Sequence, residues 1–154
     1  MNKSMLVVAG ALVLGVLGAP TAARANVTCS IVEIEASSGS APAIDPDLKA
    51  LEKKFKRPPL SSWNTFKKLG GTSLTLAPQQ AGAANLVHGK FGLLLRDINE
   101  RPGKKPRLGL GITIDDTAGK RVVDIKVGVD AGDYVIPARP LPGDKGHLVA
   151  VTCK

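Results

Sequence analysis

Apolar and polar positions alternate with a period of two over much of this chain. Leu108, Leu110, Ile112 and Ile114 alternate with Gly109, Gly111 and Thr113, and Val123, Ile125 and Val127 alternate with Asp124, Lys126 and Gly128. This is the period of strands with one face in a core. Asp116-Thr117-Ala118-Gly119 lies between the two runs and predicts a hairpin turn. Phe91, Leu93 and Leu95 form a similar run, and Tyr134–Ile136 and Leu148–Thr152 add two more. Trp63–Leu69 and Thr72–Leu76 read as strands separated by Gly70-Gly71. In Val27–Ser37, Val32, Ile34 and Ala36 alternate with Glu33 and Glu35. Cys29 and Ile31 fall on the opposite parity, which calls for a bulge or for burial on both faces. On that alternation Glu33 and Glu35 share a face assigned to solvent.

One helix interrupts the strands. Asp45 is placed to cap it, Pro46 suits its first turn, and Asp47 favours the positive helix end. Leu48, Leu51 and Phe55 share one helical face, with lysines around the rest, and Pro58-Pro59 ends the segment. Frequent turn signals with few helix-period runs predict a mainly β protein: an antiparallel sandwich or barrel of about eight strands with one short helix in the N-terminal region.

The N-terminus is of another kind. Lys3 precedes Met5–Ala19, an uncharged apolar run of 15 residues, and Ala23-Arg24-Ala25 is a small-x-small cleavage site. These are the parts of a secretory signal peptide cut between Ala25 and Asn26. The run stops at Pro20, short of the ~20 apolar residues of a spanning helix. The expected organisation is therefore a signal peptide over 1–25, then one β-rich domain over 26–154 that does not span the membrane, secreted or periplasmic. Lys3 and Arg24 leave with the signal and no acid does, so 19 basic residues face 13 acidic ones and the net charge falls from +8 to +6.

Export changes the reading of the two cysteines. Cys29 and Cys153 are the only pair available, and in an oxidising compartment they are expected to bond. That bond requires the two terminal segments to be neighbours. Two lone cysteines supply too few ligands for a metal, and the C-x-x-C spacing of a redox pair is absent.

Chemistry-bearing patterns are few. His88 falls in a turn and His147 opens the last strand, with no metal-ligand spacing between them. Ser37-Ser38-Gly39-Ser40 is a loop and not a nucleophile elbow. Asp115 and Asp116 are neighbours on a strand end and need not converge. Gly109-Leu110-Gly111 lies within a strand and lacks the helix of a phosphate cradle. No catalytic residue, cofactor or metal site is assigned. The longest polar insert, Asn99–Arg107 (NERPGKKPR), is expected to be an exposed loop presenting Arg101, Lys104, Lys105 and Arg107. Of the five aromatics that could interleave with such charge in a single-strand binder, Phe55, Trp63, Phe66 and Phe91 are assigned to the core, leaving Tyr134, and export argues further against nucleic acid.

The segment from Ile34 to Leu69 resembles a group of small exported bacterial proteins of uncharacterised function. Their pattern appears here as Ile34-Glu35-Ala36-Ser37, Asp45-Pro46-Asp47-Leu48-Lys49-Ala50-Leu51, Pro58-Pro59-Leu60, and an aromatic-bearing strand from Trp63 to Leu69. Leu60 departs from the pattern, where an aromatic is expected. The resemblance implies an exported β domain and supplies no catalytic residue. Together these readings predict a non-enzymatic binding or structural domain of the envelope or extracellular space, whose partner is a protein or an anionic envelope component. The alternatives are a small secreted hydrolase using His88 or His147, and an inhibitor or ligand presenting the Asn99–Arg107 loop.

Overall fold

The computed structural model describes residues 25–154, so the signal peptide expected over 1–25 lies, apart from Ala25, outside the described residues. The chain is mainly β, in two sheets. The first contains β1 (Val27–Ser37), β2 (Ala43–Ile44), β3 (Thr65–Leu76), β8 (Tyr134–Val135), β9 (Ala138–Leu141) and β10 (Lys145–Cys153), with β1 and β10 at its centre. The second is the antiparallel meander β4 (Ala81–Leu86), β5 (Gly89–Asn99), β6 (Arg107–Asp115) and β7 (Arg121–Asp130). Among the described residues ten strands thus stand where about eight were expected. Gly70-Gly71 does not break a strand: β3 runs straight through it, with Leu69 unpaired as a bulge opposite Glu33 and Ile34. The two-residue β2 and the strands β4 and β9 account for the increase.

The sheets face each other across an apolar core. Cys29, Ile31, Val149, Val151 and Cys153 from the first sheet meet Phe91, Leu93, Leu95, Leu110, Ile112 and Ile114 from the second. The strict alternation of β5 and β6 follows from this arrangement, with one face inward and one outward. The first sheet is covered on its other face as well. There the capped segment lies over Ile34, Ala36, Leu148 and Ala150. It is a 3-10 turn over Pro46–Leu51 followed by a single α-turn, α1 (Glu52–Phe55), rather than one continuous α-helix. Its expected details hold: Asp45 accepts from the Asp47 amide at 3.1 Å, and Leu48, Leu51 and Phe55 are all buried. Phe55 stacks on Phe66 of β3 at 4.0 Å between ring centroids.

Burial on both faces explains β1. Its odd positions from Val27 to Ile31 enter the inter-sheet core, and Ile34 and Ala36 enter the second cluster. The β1–β10 register is unbroken and sets Cys29 directly opposite Cys153. Thr28 and Lys154 exchange backbone hydrogen bonds at 2.9 and 3.0 Å, so the cysteines form the adjacent non-hydrogen-bonded pair, where side chains lie closest. They are bonded, with Cα atoms 4.0 Å apart, and both are buried. Among the described residues no helix is long and apolar enough to cross a membrane.

Candidate functional site

The densest polar cluster forms where sheet pairing aligns charged residues on the inward face of the first sheet. In register, Glu35 of β1 stands opposite His147 of β10, and His147 stands opposite Arg139 of β9. Glu33 and Lys145 occupy the diagonal positions, within reach of long side chains. The turn between β4 and β5, Val87-His88, closes down on this row from the second sheet.

Glu33 is the hub. It is 3% exposed, against the expectation that it faces solvent. Its Oε2 accepts the Val87 amide at 2.7 Å, and its Oε1 accepts the His88 amide at 2.9 Å. His147 Nε2 lies 2.8 Å from Oε1. Burial is the largest influence on the Glu33 carboxyl and pushes it up, but the bonds from His147, His88 and Val87 together outweigh it and hold it below the ordinary glutamate range. His147 is fully buried. Arg139 Nε donates to its Nδ1 at 3.2 Å. Arginine offers only donors, so Nδ1 carries no proton and Nε2–H is the donor to Glu33. Arg139 also donates to the His88 carbonyl at 3.0 Å.

The outer half of the cluster is more open. His88 Nε2 sits 3.3 Å from Glu35, and Lys145 donates to the other Glu35 oxygen at 3.2 Å. The Lys145 bond is the main reason the Glu35 carboxyl lies below its ordinary range, with His88 contributing. Both histidines therefore lie within reach of a carboxylate, as a catalytic base would. Neither hydrogen-bonds to a serine, threonine or cysteine among the described residues, and both nitrogens of His147 are occupied. A cleft of about 210 Å³ borders Glu33, lined by Gly70, Gly71, Thr72, Asn85 and Val87. The two Glu33 oxygens already accept three donors. Among the described residues no three His, Cys, Asp or Glu side chains are placed to hold a metal ion. What this cluster does is join the sheets.

The expected interaction loop lies at one end of the second sheet. Arg101 and Arg107 are not free: both bond Asp130 Oδ1, at 2.8 and 3.2 Å, and Arg101 also donates to the Lys105 carbonyl. The Arg101 bond, aided by Arg107, holds the Asp130 carboxyl below its ordinary range. Lys104 and Lys105 are exposed and take part in no ion pair among the described residues. A bulge between Leu95 and Asp97 places Arg96 out of register. Arg96 and Asp97 both line a cleft of about 250 Å³ on the outer face, with Asn99, Arg107, Gly128 and Lys126. Its floor is glycine for a steric reason: a Cβ at Gly109 would lie 2.7 Å from the Asp97 carboxylate. Sequence reading missed Arg96, because nothing in the sequence marks where a bulge falls.

The remaining candidates are ordinary structure. Asp115 pairs with Arg121, and Asp116 accepts the Ala118 and Lys120 amides in its turn. Ala25 and Asn26 are exposed ahead of β1. Comparison with known proteins returns no matching family model, no matching curated protein and no matching solved structure.

Proposed function

We propose that this protein is an exported, non-enzymatic binding domain that takes an anionic envelope component at the loop end of the second sheet. The observation that carries the reading is the cleft beside the loop. Arg96 and Lys126 line it with Asp97 and Arg107, Lys104 and Lys105 are exposed on the loop that follows β5, and among the described residues neither Arg96 nor any of these three lysines is in an ion pair. Clustered cations without internal partners favour anionic ligands by Coulomb attraction. The buried disulfide supports export, since such bonds persist in oxidising compartments. The saturation of the Glu33–His147 pair favours binding over hydrolysis.

The test compares the parent with an Arg96→Ala, Lys104→Glu, Lys105→Glu variant. Co-sedimentation with anionic vesicles and retention on a polyanion resin are measured at rising salt. Binding that weakens with salt and is lost in the variant supports the reading. Equal binding by both proteins, or none by the parent, ends it. The fixed base of the loop, where Arg101 holds the Lys105 carbonyl and Asp130, also favours presentation of the loop to a protein partner. Capture of one partner protein by the parent and not the variant, with no polyanion binding, would favour that second reading.

A further inference from the structure

β7 is the last strand of its sheet. It pairs with β6 on one side, and on the other no strand joins it among the described residues. The bonding pattern shows which of its groups are open. The Ala131 amide donates to the Pro106 carbonyl at 2.9 Å, one step beyond the Arg107–Asp130 pair. Bonded and non-bonded pairs alternate along an antiparallel ladder. Val123, Ile125, Val127 and Val129 therefore spend their backbone groups on β6, and those of Asp124, Lys126 and Gly128 point off the sheet. Arg107 already covers the Gly128 carbonyl at 3.1 Å. The open edge is centred on Asp124, Ile125 and Lys126.

Side chains along this edge are unfinished as well. Val123, Ile125 and Val127 pack on the inter-sheet core but are only partly buried. Asp124 and Lys126 are exposed on the outer face, where Asp124 has, among the described residues, only a long contact of 3.8 Å with Arg121 Nη1. A lysine in an edge strand ordinarily deters pairing with another strand. Here an aspartate two residues earlier offers that lysine a mate in a second copy of the same strand.

We infer that β7 joins two copies of this protein edge to edge, antiparallel, about a two-fold axis at Ile125. In that register Asp124 stands opposite the partner's Lys126, and Lys126 opposite the partner's Asp124. Val123 meets the partner's Val127, and Ile125 meets the partner's Ile125. The outward backbone groups belong to even-numbered residues, so even must face even. The neighbouring allowed registers place the axis at Asp124, with aspartate against aspartate, or at Lys126, with lysine against lysine. Like charges directly opposite are destabilising. The two sheets become one of eight strands, and the half-covered valines and isoleucines gain cover. The contact is isologous, as a closed dimer requires. So short an edge yields a reversible dimer rather than an obligate one. Lys126 then turns from the cleft to its mate, and Arg96 and the loop lysines remain for the anion. The two proposals use different variants, so either can fail alone.

Sedimentation equilibrium over a wide concentration range is the test, on the protein purified after expression with its own N-terminal sequence. The wild type should show a monomer–dimer equilibrium. Asp124→Lys and Lys126→Asp singly should each weaken it by about tenfold or more, since each turns two attractive pairs into repulsive ones. The double exchange should restore it, which also shows that the single variants were not simply misfolded. A wild type that stays monomeric up to about 1 mM overturns the proposal. So does a dimer indifferent to both reversals, or one the double exchange leaves broken.

Discussion

Arg139 donates its Nε–H to Nδ1 of His147 at 3.2 Å, and this contact decides which imidazole nitrogen presents a proton to a third residue, Glu33. With Nδ1 an acceptor, the imidazole proton is on Nε2 and points at the Glu33 carboxylate 2.8 Å away. Glu33 therefore works as an anion that collects three donors, two of them amides of the opposing sheet. The buried charge is tolerated because the chain Arg139–His147–Glu33 answers it at both ends.

Glu33→Gln should therefore cost about 3 kcal/mol, although it changes few atoms. An amide has one acceptor oxygen, so whichever way it turns, its NH2 faces the Val87 amide or the His88 and His147 donors. At least one buried donor loses its partner, and Arg139 loses its compensating charge. Chemical denaturation gives the stability change, and hydrogen exchange at the Val87 and His88 amides locates it. Undiminished protection at both amides would contradict the role given to Glu33.

Acid should weaken the same junction. The Glu33 and Glu35 carboxyls both lie below the ordinary glutamate range in the folded protein. Such groups stabilise the fold at pH above the unfolded-chain value, and that contribution disappears as pH falls through the folded values. Stability should hold from neutrality to roughly pH 5 and then decline. Glu33→Gln should flatten part of that decline. The check is the urea midpoint of both proteins at a series of pH values; parallel acid limbs would exclude Glu33 as a source.

How far the sequence led depends on what each signal measures. Alternation identified β6 and β7 because each has one covered face. It failed at Glu33, because alternation says which residues share a side and not which side is covered. Val27, Cys29 and Ile31 lie on the parity of Glu33, and they were the available warning. The sequence AGAANL of β4 carries little strand propensity, and pairing with β5 makes it a strand. Arg139 carried no signal, since its role depends on β9 lying in register beside His147.

The disulfide closes a sequence separation of 124 residues at the centre of a sheet that has cores on both faces. Its removal should loosen the protein without dissolving it. Cys153→Ser should lower stability by about 2–4 kcal/mol, through the greater freedom of the unfolded chain. For a chain of this size that is a fall of roughly 10 °C in melting temperature. Far-UV circular dichroism should keep its β signature at 25 °C. Equal melting temperatures under oxidising conditions would remove the bond from the account of stability.

A tighter test of the second core lies at Gly146, opposite Ala36 in the β1–β10 ladder. The indole of Trp63 occupies the space where a side chain would stand: a Cβ at Gly146 would lie 2.5 Å from Cζ2 and 2.6 Å from Cη2. The neighbouring ladder is buried and cannot retreat, so in Gly146→Ala the ring must move. Trp63 also walls a groove with Phe55, Phe66 and Ile44, and its displacement uncovers those residues. Overpacking of this kind costs about 1–3 kcal/mol. Trp63 is the only tryptophan in the chain, so its emission reports the event without ambiguity. The variant should fluoresce at longer wavelength than the parent while folded, and unfold at lower denaturant. A variant with the parent's emission maximum and denaturation midpoint would mean that the indole does not fill this space in solution.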